Sequence, residues 1–248
     1  MQQAADTTGD PAQGCNHSHG SGEACGDHAK HEDGKPPSSN NTEGSGAAKP
    51  APLPLPKFSV SRHVKYFLHN LKQLPQPYQA ADTNRMTLVF FCVSALDIMG
   101  KLHGDDAVLA PEQKAHIIDW VYANQVVVPP SGQFRSHAGF IGGTFMGSPF
   151  KPRGSGDEAG GAVASEHVFG HIAMTYTALA TLAMLGDDFG RVQRDDILFA
   201  LSKLQREDGM FMSTVAGSEA DMRFVYCAAT ICKMLGDSST IDVERSVR

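Results

Sequence analysis

A dense group of cysteine and histidine side chains lies near the N-terminus of the 248-residue chain. Thiolate and imidazole groups bind zinc and related metals, so this group could form a metal site. Its spacing matches no zinc-finger template, however, and no large apolar residues nearby could build a small core around a metal. We therefore interpret it as part of a His-rich, low-complexity tail, with a metal site as the alternative. The group comprises Cys15, His17, His19, Cys25, His28 and His31.

Polar groups at or within apolar segments are the second chemical feature. Arg223 stands in a segment, residues 221–235, that is apolar on most sides, and a charge in such a place needs an ionic partner or a polar cavity. Arg223 either pairs with Asp221 or Glu219 at the helix start or faces a ligand. His171 opens a similar apolar segment, where it is either a hydrogen-bonded core residue or a ligand contact.

Paired helices must position these residues. Apolar residues recur at helical spacing in an amphipathic segment at 60–74. The next segment, from about 83 to 99, is apolar almost all round, which predicts burial on every side. The same alternation occurs twice more, so we predict outer and inner helices in an all-α fold. These later pairs cover 111–125 with 167–185 and 195–205 with 221–235.

An internal repeat supports this prediction. Each unit has an outer helix that ends in Gln, a turn with Gly and Phe, and an inner helix that ends in Leu-Gly. In the turn, Gly supplies backbone freedom and Phe anchors the loop on the apolar layer. Such units are typical of a toroid or a solenoid, and periodicity alone does not choose between them. The residues are Gln125, Gly139, Phe140 and Gly186 in one unit and Gln205, Gly209, Phe211 and Gly236 in the next.

Composition separates a tail from a folded part and limits the function. Residues 1–57 contain no aromatic residue, no Val or Ile, and half of the 14 prolines, which predicts a disordered tail before a folded domain at 58–248. A net charge of −6 argues against a nucleic-acid or anionic-membrane surface. No apolar run could span a bilayer, the N-terminus lacks a secretory signal, and five scattered cysteines fit a reducing compartment. We expect a cytoplasmic protein that binds no nucleic acid and does not span the membrane.

Several segments resemble the beta subunit of protein prenyltransferases, and within that family protein geranylgeranyltransferase type I. The resemblance covers residues 58–248 in order. Its strongest segments are HIAMTYTAL at 171–179, LQREDG at 204–209 and SEADMRFVYCA at 218–228, with RHV at 62–64 and NRMTLVFF at 84–91.

This resemblance implies an α-α toroid whose inner helices surround an apolar funnel for a geranylgeranyl chain. The implied enzyme transfers that chain from geranylgeranyl diphosphate to the cysteine of a C-terminal Cys-aliphatic-aliphatic-X motif. A zinc ion favours the reactive thiolate, and a separate alpha subunit is required as a partner.

The resemblance also implies candidate residues for binding the isoprenoid and the peptide. Thr87 stands where a small side chain leaves room for the longer isoprenoid. Arg223 matches an arginine beside the substrate's C-terminus and the isoprenoid, and Tyr226 lies one turn further on the same helix face. Taken alone, each candidate would be interpreted as a core or hydrogen-bonded residue. The pocket for the X residue would contain His171, Ala173 and Phe224, with Phe90, Phe91 and Met174 as apolar surroundings.

The sequence also departs from the family. The resemblance places the zinc ligands, an Asp and a Cys close together and a distant His, beyond Arg248, together with the groups that hold the diphosphate. None of the five cysteines and eleven histidines matches a zinc ligand. We therefore expect zinc as the family's cofactor, but no metal ligand and no catalytic residue in this chain. We expect this chain to be a truncated subunit that forms an incomplete toroid and is inactive by itself.

Other functions stay open at this point. The chain could be a non-catalytic helical-repeat module that engages the alpha subunit. It could also belong to a farnesyl or Rab-type prenyltransferase subunit, although two features favour type I: Thr87 with Phe90 and Phe91, and Arg223 followed by Phe224. Terpene cyclases share the toroid, but they use an Asp-x-Asp-Asp motif, which does not occur here.

Overall fold

The structure, a computed structural model, describes residues 57–144, 150 and 161–247, which belong to one compact unit. Helices dominate this part of the chain, as the predicted all-α class requires. The predicted tail, with its Cys and His group, lies outside the described residues apart from Lys57. The α-helices of the described part are α1 (Val60–Lys72), α2 (Arg85–Ile98), α3 (Pro111–Ala123), α4 (Ile172–Met184), α5 (Arg194–Leu204), α6 (Met222–Leu235) and α7 (Val243–Ser246).

The helices α2, α4 and α6 form an inner row, in which α4 packs against both of the others. Most side chains of α4 are buried, which explains why its sequence is apolar nearly all round. Outer helices cover this row from behind: α1 packs on α2, α3 on α4 and α5 on α6. The predicted alternation of outer and inner helices is therefore confirmed.

The prediction that α2 is buried on every side is wrong. Phe91 and Ile98 are 56% and 84% exposed. The reason is that α2 packs chiefly against α1 and α4, which leaves one of its sides open. The helix also begins at Arg85, after a 3-10 helix at Gln76–Asn84, rather than at about residue 83.

A small sheet in the Gly-rich stretch is absent from the sequence-based prediction. The central strand β1 (Gln125–Val127) is antiparallel to β2 (Gly139–Phe140) and parallel to β3 (Ala162–Val163). Strands of two or three residues are too short to produce an alternating pattern. The sheet brings the turn at Gly139–Phe140 beside the end of α3.

The glutamine that ends each repeated outer helix fastens the start of the next outer helix. Gln125 Nε2 donates to the Arg191 carbonyl (3.1 Å), and its Oε1 accepts from the Gln193 amide (2.9 Å), just before α5. Gln205 Nε2 donates to the Asp242 carbonyl and its Oε1 accepts from the Asp242 amide, both at 2.8 Å, just before α7. One side-chain amide thus pairs with a carbonyl and an N–H of the incoming backbone, which gives the repeated Gln a physical role.

The predicted roles of Gly and Phe in the two turns are also confirmed. Phe140 and Phe211 are both fully buried in the main core, which lies between the inner row and α3 and α5. Gly139 and Gly209 have φ values of +148° and +82°, which residues with a side chain rarely adopt.

Candidate functional site

The N-terminal ends of α4 and α6 bring three predicted site residues together. His171 caps α4, because its Nδ1 accepts a hydrogen bond from the Ala173 amide (3.1 Å). Its ring is nearly perpendicular to the buried Phe224 ring, with 5.9 Å between the centroids. The Arg223 guanidinium lies 6.0 Å from the centre of the same Phe224 ring. The predicted neighbours His171, Phe224 and Arg223 are thus adjacent in space.

The structure gives Arg223 an ionic partner. Its Nε donates to Asp221 Oδ1 (2.9 Å) and its Nη2 to Asp221 Oδ2 (3.0 Å), while Asp221 Oδ1 also accepts from the Arg223 amide (2.7 Å). The pair lowers the pKa of Asp221 and raises the pKa of Arg223, in both cases chiefly through these hydrogen bonds. The Arg223 side chain is nevertheless 74% exposed, and the pair occupies two of its five donors. A ligand carboxylate can therefore still approach it.

His171 is held in a single neutral form. Burial lowers the pKa of its imidazole, and the nearby charge of Glu219 opposes that shift as the smaller effect. Because Nδ1 accepts from a backbone amide, the proton of the neutral ring must lie on Nε2. His171 can thus offer one N–H donor without carrying a charge.

A row of aromatic rings crosses the three inner helices. Phe91 and Phe90 on α2 have centroids 5.7 Å apart, and Phe90 lies 5.5 Å from Tyr176 on α4. Tyr176 in turn lies 5.4 Å from Tyr226 on α6, with the two hydroxyl oxygens 3.3 Å apart. We call Phe91, Phe90, Tyr176 and Tyr226 the aromatic row. Its end members Phe91 and Tyr226 are 56% and 59% exposed.

The remaining predicted residues link α2 to α4. Thr87 Oγ1 donates to Met174 Sδ (3.5 Å), and Thr87 is half-buried. Met174 is buried and Ala173 is half-buried. Thr87 therefore lies one helical turn before Phe90 and Phe91, beside the start of α4.

The prediction missed Tyr176, the central residue of the aromatic row. Tyr176 lies three residues after the predicted Ala173, a spacing that places two side chains on one helix face. It also stands 50 positions before the predicted Tyr226 in the repeat. Either signal could have identified it.

Burial makes the described cysteines poor metal ligands and poor nucleophiles. Burial raises the pKa of Cys92, Cys227 and Cys232 to about 11, so all three stay protonated thiols near neutral pH. Within residues 57–144, 150 and 161–247, no group of three or more His, Cys, Asp or Glu side chains is placed to hold a metal ion. The described residues therefore do not fit a zinc site. Among them there is also no helix with the length and apolar character needed to cross a membrane.

Comparison with known proteins defines the class. Residues 58–248 match the family described as the Prenyltransferase alpha-alpha toroid domain. The chain belongs to this family, and its inner and outer helices are those of an α-α toroid. Of the two architectures that the repeat allowed, the toroid is therefore the correct one.

The more particular similarity is to one type of subunit. The chain is 34% identical over 196 residues to the geranylgeranyl transferase type-1 subunit beta of Arabidopsis thaliana, which covers 77% of this chain and 47% of the relative. The protein of the same name from Dictyostelium discoideum is 32% identical over 188 residues, or 74% of this chain and 51% of the relative. The protein farnesyltransferase subunit beta of Pyricularia oryzae is 26% identical over 183 residues, or 73% and 28%. The chain thus spans about half the length of the two type-1 relatives.

A solved structure confirms the fold. Candida albicans protein geranylgeranyltransferase-I complexed with GGPP superposes with a TM-score of 0.59 at 17% sequence identity. The match covers 77% of this chain and 50% of that chain.

Proposed function

We propose that this chain is part of the beta subunit of a protein geranylgeranyltransferase type I. In that role it binds geranylgeranyl diphosphate and proteins ending in Cys-aliphatic-aliphatic-X, pairs with a separate alpha subunit, and works in the cytoplasm. The names of the Arabidopsis and Dictyostelium relatives support the type, because the farnesyltransferase relative is less similar. The observation that carries the proposal is the aromatic row across α2, α4 and α6.

An isoprenoid chain fits the aromatic row on physical grounds. Removing apolar surface from water stabilises a complex by about 25 cal/mol per Å². Phe91 and Tyr226 have more than half of their surface exposed, so a chain along the row would cover ring surface on three helices at once. Thr87, one turn before Phe91, leaves more space at that end than a large side chain would.

The peptide's C-terminus fits the group at the helix starts. Arg223 offers a carboxylate its unpaired donors, while Asp221 fixes its guanidinium plane through a two-bond contact. His171 offers the neutral Nε2–H group, and Phe224 beside it supplies an apolar wall for the last side chain. Ala173 and Met174 complete this proposed pocket.

Zinc belongs to this proposal at the level of the family only. When bound, the ion favours the thiolate form of the substrate cysteine. The described residues do not form a zinc site.

The test measures binding of a fluorescent geranylgeranyl diphosphate analogue to the full 248-residue chain, produced together with an alpha subunit. Phe91→Ala should weaken binding about tenfold, since burying the rest of a phenylalanine contributes about 1.5 kcal/mol and 1.4 kcal/mol is a factor of ten. Ile98→Ala is the matched control, because Ile98 is exposed on the same helix outside the aromatic row. It should leave the affinity unchanged.

Other outcomes would support the alternatives. Stable binding of the alpha subunit without any isoprenoid binding would favour a helical-repeat binding module. Turnover of a polyprene without a protein acceptor would favour a terpene cyclase. An equal loss of affinity in the Phe91→Ala and Ile98→Ala variants would remove the aromatic row as the isoprenoid site.

A further inference from the structure

The backbone of His171 is fixed from both sides. Its N–H donates to the Phe140 carbonyl (3.0 Å), which belongs to the buried turn of the first repeat. Its carbonyl accepts two hydrogen bonds from one residue of α4, from the Thr175 amide at 2.9 Å and from Thr175 Oγ1 at 3.0 Å. Thr175 Oγ1 itself accepts from the Phe140 amide (3.0 Å). Phe140, His171 and Thr175 therefore form a closed ring of hydrogen bonds.

Two glycines allow this ring to form. A Cβ atom at Gly139 would lie 2.8 Å from Thr175 Oγ1 and 3.1 Å from Gly170 Cα. A Cβ atom at Gly170 would lie 2.7 Å from Gly139 Cα. Real Cβ atoms essentially never show contacts under 3.0 Å, so a side chain at either glycine would force β2 or the start of α4 to shift.

Thr175 differs from the other buried threonines of α4. Thr177 Oγ1 donates to the Ala173 and Met174 carbonyls, and Thr181 Oγ1 donates to the Thr177 carbonyl (2.7 Å). These bonds stay within the helix, as is usual for helical threonine. Thr175 also makes such a bond, but its hydroxyl oxygen accepts a hydrogen bond from a different element. It is therefore the threonine that joins the turn to the helix cap.

We propose that Thr175 is a positioning residue for His171. Its hydroxyl locks the helix cap against the Phe140 turn, so that His171 Nδ1 stays on the Ala173 amide and Nε2–H remains the donor offered to the last residue of the peptide. This inference rests on the proposed function for its peptide-reading role. The tautomer and position of the imidazole can be observed independently of that function.

Three variants of the full chain separate positioning from folding. Thr175→Val keeps the shape and removes the hydroxyl, and Thr175→Ser keeps the hydroxyl. Thr181→Val is the matched control, because it removes a buried hydroxyl that bonds only within the helix. The first readout is ¹⁵N NMR of the imidazole, with the His171 signal assigned by its loss in a His171→Asn variant. Wild type, Thr175→Ser and Thr181→Val should show the pure Nε2–H form, and Thr175→Val should show a mixture of tautomers.

The second readout is peptide selectivity in the complex with the alpha subunit. Thr175→Val should lower the affinity ratio between peptides ending in Leu and in Ser about tenfold, a factor typical of one misplaced contact, while isoprenoid affinity stays the same. A purely structural role would instead lower both affinities together.

Each outcome decides the inference. An unchanged His171 signal in Thr175→Val, or the same change in Thr181→Val, overturns it. If Thr175→Val does not fold, Thr175→Ala takes its place as the variant without the hydroxyl: a mixture of tautomers supports the inference, and a wild-type imidazole signal overturns it. If the imidazole responds as expected but wild type binds neither isoprenoid nor peptide, the positioning of His171 stands and the proposed function fails.

Discussion

The starts of α4 and α6 share one design and differ in chemistry. Each helix begins with a residue whose side chain accepts from the amide two positions later: His171 from Ala173, and Asp221 from Arg223. The tyrosines Tyr176 and Tyr226 stand at matching places, 50 residues apart. His171 is half-buried and neutral, whereas Asp221 is charged and paired with an exposed Arg223.

The difference comes from what packs against each cap. The start of α4 lies between the turns of both repeats, since His171 bonds to Phe140 and Ile172 donates to the Ser213 carbonyl (2.9 Å). The start of α6 is open, with Met222 64% exposed. A repeated backbone therefore supplies the same position twice, and the surroundings decide whether it holds a neutral donor or an ion pair.

The largest expected loss of stability tests whether the Phe140 turn and the Phe211 turn stabilise the fold equally. Phe140→Ala and Phe211→Ala should each lower the free energy of unfolding by about 3–5 kcal/mol, because both remove a fully buried ring from one core. Urea denaturation measures the loss. The exposed Phe91→Ala variant is the control and should change the free energy of unfolding far less. If only one of the two variants lost much of its free energy of unfolding, the two repeat units would not contribute equally to stability.

A smaller effect distinguishes the two glutamine contacts. Gln125→Ala should lower the free energy of unfolding by about 1–3 kcal/mol, because it removes a buried side-chain amide and both of its hydrogen bonds to the backbone before α5. Gln205 is less buried, so Gln205→Ala should cost about 0.5–1.5 kcal/mol in the same urea experiment. Equal losses would contradict the argument from burial.

The smallest effect concerns pH and separates the two caps directly. The folded-state pKa of His171 is lowered by burial, so its contribution to stability is complete above the unfolded pKa of 6.5 and is lost as pH falls through the folded value. The pKa of Asp221 is also lowered, but from 3.8, so its contribution is lost only in more acidic solution. Between pH 7.5 and 5, wild type should therefore lose more stability than His171→Asn, which keeps a cap acceptor but does not titrate.

Asp221→Asn provides the comparison for that pH experiment. Between pH 7.5 and 5, the stability of Asp221→Asn should change with pH as that of wild type does. Below pH 4 the two pH dependences should diverge. Urea denaturation at each pH measures both effects. If His171→Asn and wild type show the same pH dependence of stability, the pKa of His171 is not lowered in the folded state.

Much of the fold could be predicted, and the local details could not. Helical spacing predicted the alternating helices, and the Gln, Gly and Phe positions predicted the repeat, because these patterns come from local geometry and burial. The short sheet was missed because strands of two or three residues leave no periodic signal. The exposed side of α2 was missed because an apolar sequence does not show whether a ligand, another helix or solvent meets it.

The candidate site shows the same division. The amino-acid sequence was enough to identify the residue types, the family resemblance and the positions of His171, Arg223 and the phenylalanines, since these depend on order along the chain. The three-dimensional structure was needed to show that Arg223 pairs with Asp221, that Tyr176 joins the aromatic row, and that Thr175 ties His171 to the Phe140 turn. Each of the last two contacts joins residues far apart in sequence, and the first selects one of two nearby carboxylates. Packing in three dimensions creates the two distant contacts, which no local propensity specifies.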